Sequence, residues 1–263
     1  LVQTAKEARL ANPDITWEVS KKLDFVLEAS LWIIVLGADL TIFFEKRSNI
    51  LLQRNLSVAK VVGFPALPDQ NIGKVDKHGF ELILSHQNTF GDLVYSVFAN
   101  VSYAHSNIIF MDETPPAETY MAQTGHPLGS GLYYKSDGIF NTQAELDNYP
   151  HATGTQVGDI KILDLNDDNV INADDRYMSK NSPIPEYIFG LTTNLQYKGF
   201  DLTLFFQGQT KAFSYDGILS EIGEQDLDNN VVFRAENRWT VDNQEGATMP
   251  RADSYEPGTT DFF

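Results

Sequence analysis

Residues 189–207 read F-G-L-T-T-N-L-Q-Y-K-G-F-D-L-T-L-F-F-Q, and this stretch decides the fold class. On each side of Lys198-Gly199, apolar residues alternate with mostly polar ones, which is the period of a β-strand. The short Tyr197–Phe200 segment between the two runs has the length of a hairpin turn. The stretch therefore predicts two antiparallel strands, each with one apolar and one mostly polar face.

Four further segments of the chain show the same period of two. They are Lys22–Leu31, Gly37–Glu45, Phe80–Gln87 and Leu93–Tyr103. Together with Phe189–Tyr197 and Phe200–Gln207 they give six strands of about 8–11 residues. Strands in ordinary globular domains average about 5–6 residues, so these are long.

Short and long connections alternate between the predicted strands. A few residues around Ile33–Leu36, the segment Asn88–Asp92, and Tyr197–Phe200 form the short ones. About 30 residues separate the second and third strands, about 80 separate the fourth and fifth, and about 50 follow the sixth. This places the short turns at one end of the strands and the long polar segments at the other end. We refer to these two ends of the strands as the two edges of the sheet.

Outer-membrane barrels have short periplasmic turns and long extracellular loops, and their tilted spanning strands have about 9–11 residues. We therefore predict an all-β fold: part of an antiparallel transmembrane β-barrel with about six long strands. The alternative is a soluble antiparallel sandwich with large insertions, because alternation is a weak signal in any one segment.

The acidic charge of the chain is concentrated in two segments. The sequence has 19 Lys+Arg and 36 Asp+Glu, a net charge of -17. Residues 107–185 and 213–263 each contribute about -8, and both are rich in loop-forming residues. We expect two long acidic loops there. A phosphate-binding surface needs a basic stripe, so nucleic-acid binding is disfavoured, and the absence of cysteine excludes disulfides and thiolate metal sites.

One acidic segment contains a calcium-loop pattern, D164-L-N-D-D-N-V-I-N-A-D-D175. Oxygen donors fall at positions 1, 3, 5, 7 (main chain), 9 and 12, the spacing of an EF-hand or dockerin loop. These donors are Asp164, Asn166, Asp168, Val170, Asn172 and Asp175. Asn169 stands at position 6, where glycine is usual. We expect a structural Ca²⁺ site, and the alternative is an acidic turn whose side chains bond their own backbone.

Two longer motifs resemble a known family. They are G158-D-I-K-I-L-D-L-N-D-D-N-V-I-N-A-D-D-R176 and N181-S-P-I-P-E-Y-I-F-G-L-T-T-N-L-Q-Y-K-G-F-D-L-T-L-F-F-Q-G208. Supporting matches are N12-P-D-I-T-W-E-V-S-K-K-L-D24, G79-F-E-L82, G91-D-L-V-Y-S-V-F-A-N-V-S-Y103 and W239…P250-R251. The chain resembles the C-terminal half of SusC/RagA-type TonB-dependent outer-membrane transporters. The position of Asn169 departs from the family pattern, which usually has glycine.

This resemblance implies that residues 1–263 are an internal part of a barrel of about 22 strands. It also implies an N-terminal plug and a TonB box that lie outside this sequence. Such proteins import oligosaccharides or peptides across the outer membrane of Bacteroidetes-type bacteria. The resemblance implies a SusD-like surface lipoprotein as the extracellular partner and TonB as the source of energy. It also implies that membrane lipid surrounds the barrel.

Loop aromatic residues are the candidates for contacting cargo. Tyr133, Tyr134, Phe140 and Trp239, together with Tyr120, could stack on sugar rings, although a loop aromatic more often packs against its own loop. No Walker loop, G-x-S-x-G or H-E-x-x-H motif occurs, so we do not expect an enzyme.

Two other functions stay open on the sequence. A secreted calcium-stabilised β-rich module for adhesion or carbohydrate binding would also suit the strands and the acidic loop. A glycoside hydrolase would need a pair of carboxylates, such as Asp112-Glu113 or Asp174-Asp175. In segments this acidic, such pairs are more typical of solvated charge.

Overall fold

The computed structural model describes residues 11–31, 35–54, 68–213 and 236–251. Long strands dominate these residues. The strands are β1 (Val19–Leu31), β2 (Leu36–Gln53), β3 (Asp69–Phe90), β4 (Leu93–Phe110), β5 (Leu132–Tyr133), β6 (Ser136–Ile139), β7 (Ile160–Ile162), β8 (Tyr177–Met178), β9 (Tyr187–Tyr197) and β10 (Phe200–Thr210). The α-helix α1 spans Gln143–Asn148, and none of the described helices is long and apolar enough to cross a membrane.

The six long strands form one antiparallel sheet in the order β1-β2-β3-β4-β9-β10. Its three tight connections therefore lie on one edge. The β9–β10 turn has positive φ at Lys198 (47°) and Gly199 (84°), as in the two-residue hairpin turns that match strand twist. The prediction of antiparallel all-β structure is confirmed, and the described sheet is open.

Three of the strands run well beyond their predicted ends. β2, β3 and β4 have 18, 22 and 18 residues. Beyond Phe44 the sequence Glu45-Lys46-Arg47-Ser48-Asn49 is polar on both faces, so the alternation that marks a strand disappears. Pairing nevertheless continues to Gln53↔Asp69, with irregular register after Arg47. The alternation of apolar and polar residues therefore does not reveal a strand segment whose two faces are both polar.

Strand register sorts the side chains into two faces. Directly paired residues share a face, as Leu40, Leu82 and Val101 do across β2, β3 and β4. We call one side the apolar face. It carries Leu23, Phe25 and Leu27; Leu40, Ile42 and Phe44; Phe80, Leu82 and Leu84; Val97, Ala99 and Val101; Phe189, Leu191 and Leu195; and Leu202, Leu204 and Phe206.

The apolar face is largely accessible within the described residues. Phe25, Leu27 and Phe206 are exposed to 58%, 62% and 61%. The opposite side, the polar face, is dominated by carboxylates, hydroxyls and amides, with interspersed Val26, Phe43, Phe98 and Phe205. Large exposed apolar patches on proteins mark contact with another molecule or with a membrane.

The chain divides into two compact units. Unit 1 contains the six-stranded sheet with residues 122–130 and 180–186. Unit 2 contains residues 117–121, 131–179 and, of the described C-terminal residues, 236–251. The core of unit 2 includes Phe140, Leu146 and Met178, exposed to 1%, 5% and 2%. Most of the predicted acidic loop 107–185 therefore has its own small core.

Local hydrogen bonds explain how unit 2 folds. The Thr142 hydroxyl accepts from the Glu145 main-chain N–H (3.1 Å) and caps α1. β5 pairs with β8 and β6 with β7, both antiparallel. The second predicted acidic loop, 213–263, lies outside the described residues at 214–235 and 252–263.

Candidate functional site

A network of uncharged hydrogen bonds runs across the polar face. The Asn194 amide donates to the Ser96 hydroxyl (3.2 Å), and the Thr203 hydroxyl donates to the Asn194 carbonyl oxygen (2.9 Å). These residues lie on β9, β4 and β10, so the network links three strands. The polar face thus offers groups that form hydrogen bonds with water or a polar solute.

The charges of the polar face are unevenly placed. Near the edge with the long connections, Glu45 lies 4.0 Å from Lys22, and Arg47 pairs with Glu18. Toward the tight-turn edge, the charged side chains of the described polar face are all acidic: Asp24, Glu28, Asp39, Glu81 and Asp201. Glu28 stands directly opposite Asp39, and such like-charge neighbours destabilise a sheet unless water or a cation screens them.

The predicted calcium loop lies in unit 2 and is compact. Asp164 Oδ2 accepts from the Asn169 main-chain N–H at 2.8 Å, while Asp164 Oδ1 is buried and has no hydrogen-bond partner. Asn169 has φ 64°, so asparagine adopts the left-handed backbone that glycine usually provides at this position. The turn geometry therefore forms despite the departure from the family pattern.

Asp175 closes the loop from inside. Its carboxylate is fully buried and accepts from the main-chain N–H groups of Leu165 (2.9 Å) and Asn172 (2.8 Å). Asp168 Oδ1 accepts from Val170 N (2.7 Å), an Asx-turn bond. Within the described residues, no group of three or more His, Asp or Glu side chains is arranged to hold a metal. In this arrangement the side chains of the loop accept hydrogen bonds from its main-chain N–H groups, and Asp164 Oδ1 has no hydrogen-bond partner.

The predicted aromatic candidates have different environments. Phe140 is buried, with Tyr149 and His151 edge-on to its ring and the Lys161 ammonium 5.5 Å from the ring centroid. Its ring packs inside unit 2, so its face is not offered to solvent. Trp239 is half-buried, and its indole N–H donates to Asn141 Oδ1 at 3.1 Å.

The three tyrosines are half-buried in unit 2. Tyr120 donates its hydroxyl hydrogen to the Asp174 carbonyl at 2.7 Å. Tyr133 lies in β5 opposite Tyr177, and Tyr134 follows it. Burial raises the pKa of Tyr120, and the nearby carboxylates of Glu118, Asp175 and Asp174 add to the shift. Trp239 is therefore bonded to Asn141, the residue that follows Phe140. Tyr120 is bonded to the main chain of the predicted calcium loop, residues 164–175.

Two carboxylates hold unit 2 together through charge-assisted bonds. Glu145 accepts from Asn141 N (2.8 Å) and from the Lys161 ammonium (3.2 Å), and these bonds hold its pKa below the ordinary value. Arg251 pairs with Asp159 at 2.6 Å. The Arg251 bond ties the C-terminal described segment to the loop near Gly158.

A charged cluster that sequence reasoning missed flanks the sheet. His105 Nδ1 lies 2.5 Å from Glu186, and the Lys211 ammonium lies 3.2 Å from the same carboxylate. Burial alone would raise the pKa of Glu186, but the hydrogen bonds and charges of His105 and Lys211 outweigh burial and lower it. In the sequence, His105 and Glu186 are 81 positions apart, and no motif connects them. Only strand register brings them together, since Tyr103 pairs with Tyr187 beside them.

No model of a known protein family matches the chain. Curated relatives do match. A TonB-dependent receptor of Formosa agariphila is 28% identical over 263 aligned residues, covering 93% of this chain and 25% of the relative. A second receptor of that organism is 27% identical, covering 81% and 22%. The TonB-dependent receptor SusC of Bacteroides thetaiotaomicron is 22% identical, covering 68% and 18%.

Solved structures match the fold over nearly the whole chain. The RagAB peptide transporter has a TM-score of 0.61 at 19% identity, covering 94% of this chain and 27% of that one. The RagAB peptide importer in an open-open state gives 0.63 at 18%, covering 95% and 27%. The resemblance carried by the sequence motifs is confirmed, and the relatives are receptors and transporters rather than enzymes. This chain spans about a quarter of the length of the first relatives.

Proposed function

From the premise that the chain is SusC/RagA-like, we propose that it forms part of the barrel wall and rim of a TonB-dependent outer-membrane transporter. The observation that carries this proposal is the continuous apolar face across all six strands, backed by a polar face. Apolar-out and polar-in alternation is the requirement for a strand between lipid and an aqueous lumen.

The ends of the apolar face support a membrane position. Near the long connections, the rings of Tyr103 and Tyr187 lie 4.6 Å apart, with Phe80 beside Tyr103 at 5.9 Å. Near the tight turns, Phe90 and Tyr95 stack at 6.0 Å. Aromatic residues concentrate at both interfaces of outer-membrane barrels, because their rings suit the boundary between lipid and water. The tight turns are then periplasmic and the long connections extracellular.

In this function the polar face lines the lumen. The cargo is an oligosaccharide or a peptide, the extracellular partner is a SusD-like lipoprotein, and TonB supplies energy through parts of the protein outside this sequence. Support comes from the names of the relatives, which include SusC and the RagAB peptide transporter.

We also propose a structural Ca²⁺ at the loop of residues 164–175. The unpartnered, buried Asp164 Oδ1 and the preformed turn at Asn169 support it. Asp164, Asn166, Asp168, the Val170 carbonyl, Asn172 and Asp175 would hold the ion. Calcium would neutralise charge in this acidic loop, and the Asp168 carboxylate would have to turn from its Asx bond toward the ion.

The function is tested on the full-length protein in its native host. An affinity-tagged copy should fractionate with the outer membrane, require detergent for purification and co-purify with a surface lipoprotein. Uptake of labelled oligopeptides and labelled oligosaccharides by wild-type and deletion cells then identifies the cargo class. A protein that is soluble and monomeric without detergent would contradict the transporter and favour a secreted β-rich module.

A further inference from the structure

The apolar face ends in different chemistry at its two edges. At the tight-turn edge its described boundary is aromatic, and the nearby charged pair Lys198–Asp92 (3.4 Å) compensates itself. At the opposite edge, lysine and histidine side chains follow the apolar residues, with Val19 and Asp76 among them. We call the lysine and histidine residues the basic band: Lys21, Lys46, His78, His105 and Lys211.

Register places the four strand residues of the basic band on the same side as the apolar face, and the Lys211 ammonium lies 5.5 Å from the ring centroid of Tyr187 on that side. Lys21 pairs with Lys46, and the next pair inward is Leu23 with Phe44. His78 pairs with Phe44 on one side and His105 on the other. The lysines therefore directly follow Leu23 and Phe44 on the same face, and Val19 is the next β1 residue beyond them on that face.

The two lysines form no ion pair with a described carboxylate. They stand directly opposite each other and are exposed, an arrangement that destabilises a sheet when nothing compensates it. Among the residues that the structure describes, no carboxylate oxygen lies within 4.0 Å of either ammonium group. Asp76 is opposite Lys46 in register but forms no such pair, and Glu186 is engaged by His105 and Lys211.

We propose that the basic band, centred on Lys21 and Lys46, binds the phosphate groups of a phosphorylated lipid in the outer leaflet. This inference rests on the proposed function, which sets the apolar face in lipid and the long connections outside. Lysine ammonium groups bind phosphate as point charges, and their long stems reach from an apolar surface to the headgroup level. The acyl chains of the same lipid lie along Leu23 and Phe44.

The test uses the full-length protein in detergent micelles and native mass spectrometry. The probes are lipid A carrying its phosphates and the same lipid after enzymatic dephosphorylation. Wild type should retain the phosphorylated lipid on the order of tenfold more tightly, since each lysine near an anionic lipid surface contributes to binding. The double variant Lys21→Gln/Lys46→Gln should lose that preference.

The matched control is Lys22→Gln/Lys77→Gln, which removes two exposed lysines of β1 and β3 that lie on the polar face. This control should keep the wild-type preference. Equal loss in both double variants, no preference in wild type, or displacement of the lipid by millimolar inorganic phosphate would each overturn the proposal.

Folding and the parent proposal are checked separately. A heat-modifiable shift on electrophoresis shows that each variant retains its barrel. A barrel that keeps this shift but shows no phosphate preference contradicts only the lipid site. A protein that is soluble without detergent contradicts both the lipid site and the transporter.

Discussion

The indole N–H of Trp239 donates a hydrogen bond to Asn141 Oδ1 at 3.1 Å, across 98 positions of sequence. Arg251 makes a second link, to Asp159. The two acidic segments predicted as separate loops are therefore joined in one unit over their described residues. A unit with its own core can hold a surface in a fixed shape, which a pair of independent loops could not.

Gly158 allows the main chain to lie close to the Trp239 ring, which holds the C-terminal described segment against the rest of unit 2. A Cβ at Gly158 would lie 2.5 Å from Trp239 Cε3, and Gly158 has φ 96°. We expect Gly158→Ala to displace Trp239 and to weaken the bond to Asn141, since both sterics and backbone oppose the methyl group. Proteolysis within residues 236–251 of the full-length protein should accelerate. Gly154→Ala is the control, because Gly154 has φ 95° and open space around its Cβ position. Equal acceleration of proteolysis in both variants would show that the positive φ, and not the contact with Trp239, accounts for the effect.

The bonds to Glu145 should make the stability of unit 2 depend on pH. The pKa of Glu145 in the folded state lies below its ordinary value of 4.5, so its contribution is present above that pH and is lost as pH falls through the folded pKa. The stability difference between wild type and Glu145→Gln should be constant from pH 7 to about 5 and shrink in more acidic solution.

Hydrogen exchange of the α1 amides as a function of pH measures this difference. Asp147→Asn, an exposed carboxylate on the same helix, controls for the loss of one negative charge. A Glu145 difference that stays constant down to pH 3 would contradict the role of these bonds.

The calcium proposal predicts a specific thermodynamic signature. Titration of Ca²⁺ into the full-length protein should give a binding isotherm that Asp164→Ala abolishes, because Asp164 supplies the unpartnered buried oxygen. Exchange of the Leu165 and Asn172 amides should also slow with Ca²⁺ in wild type only. Asp147→Ala is the control, since its carboxylate lies on α1 and accepts from Gln143. Equal heats in wild type and Asp164→Ala would remove the site.

The sequence predicted those parts of the fold whose two faces differ in polarity. Leu93–Tyr103 alternates between apolar and mostly polar residues, so β4 was identified, whereas residues 46–49 are polar on both sides and the continuation of β2 beyond Glu45 was missed. The turn at Asn169 was anticipated from spacing, because each donor position is local. The cluster of His105, Glu186 and Lys211 was not, because it depends on which strands pair and in what register.

Phe140 illustrates a further limit. Composition places it in an acidic loop, where an aromatic ring can either contact cargo or pack against its own loop. Its burial to 1% depends on the folding of residues 131–179 into a core, which no local pattern reveals.

In the proposed barrel the apolar face contacts lipid and the polar face contacts water. Ala99 and Asn100 are neighbours on β4, on the apolar and polar faces respectively, and the chain contains no cysteine. We would attach nitroxide labels to Ala99→Cys and Asn100→Cys in the full-length protein in bilayers and measure collision with oxygen and with a water-soluble nickel chelate. We expect oxygen to relax the label at 99 more strongly and the nickel chelate to relax the label at 100 more strongly. Access of the nickel chelate to both labels, or to the label at 99 alone, would contradict this assignment of the two faces.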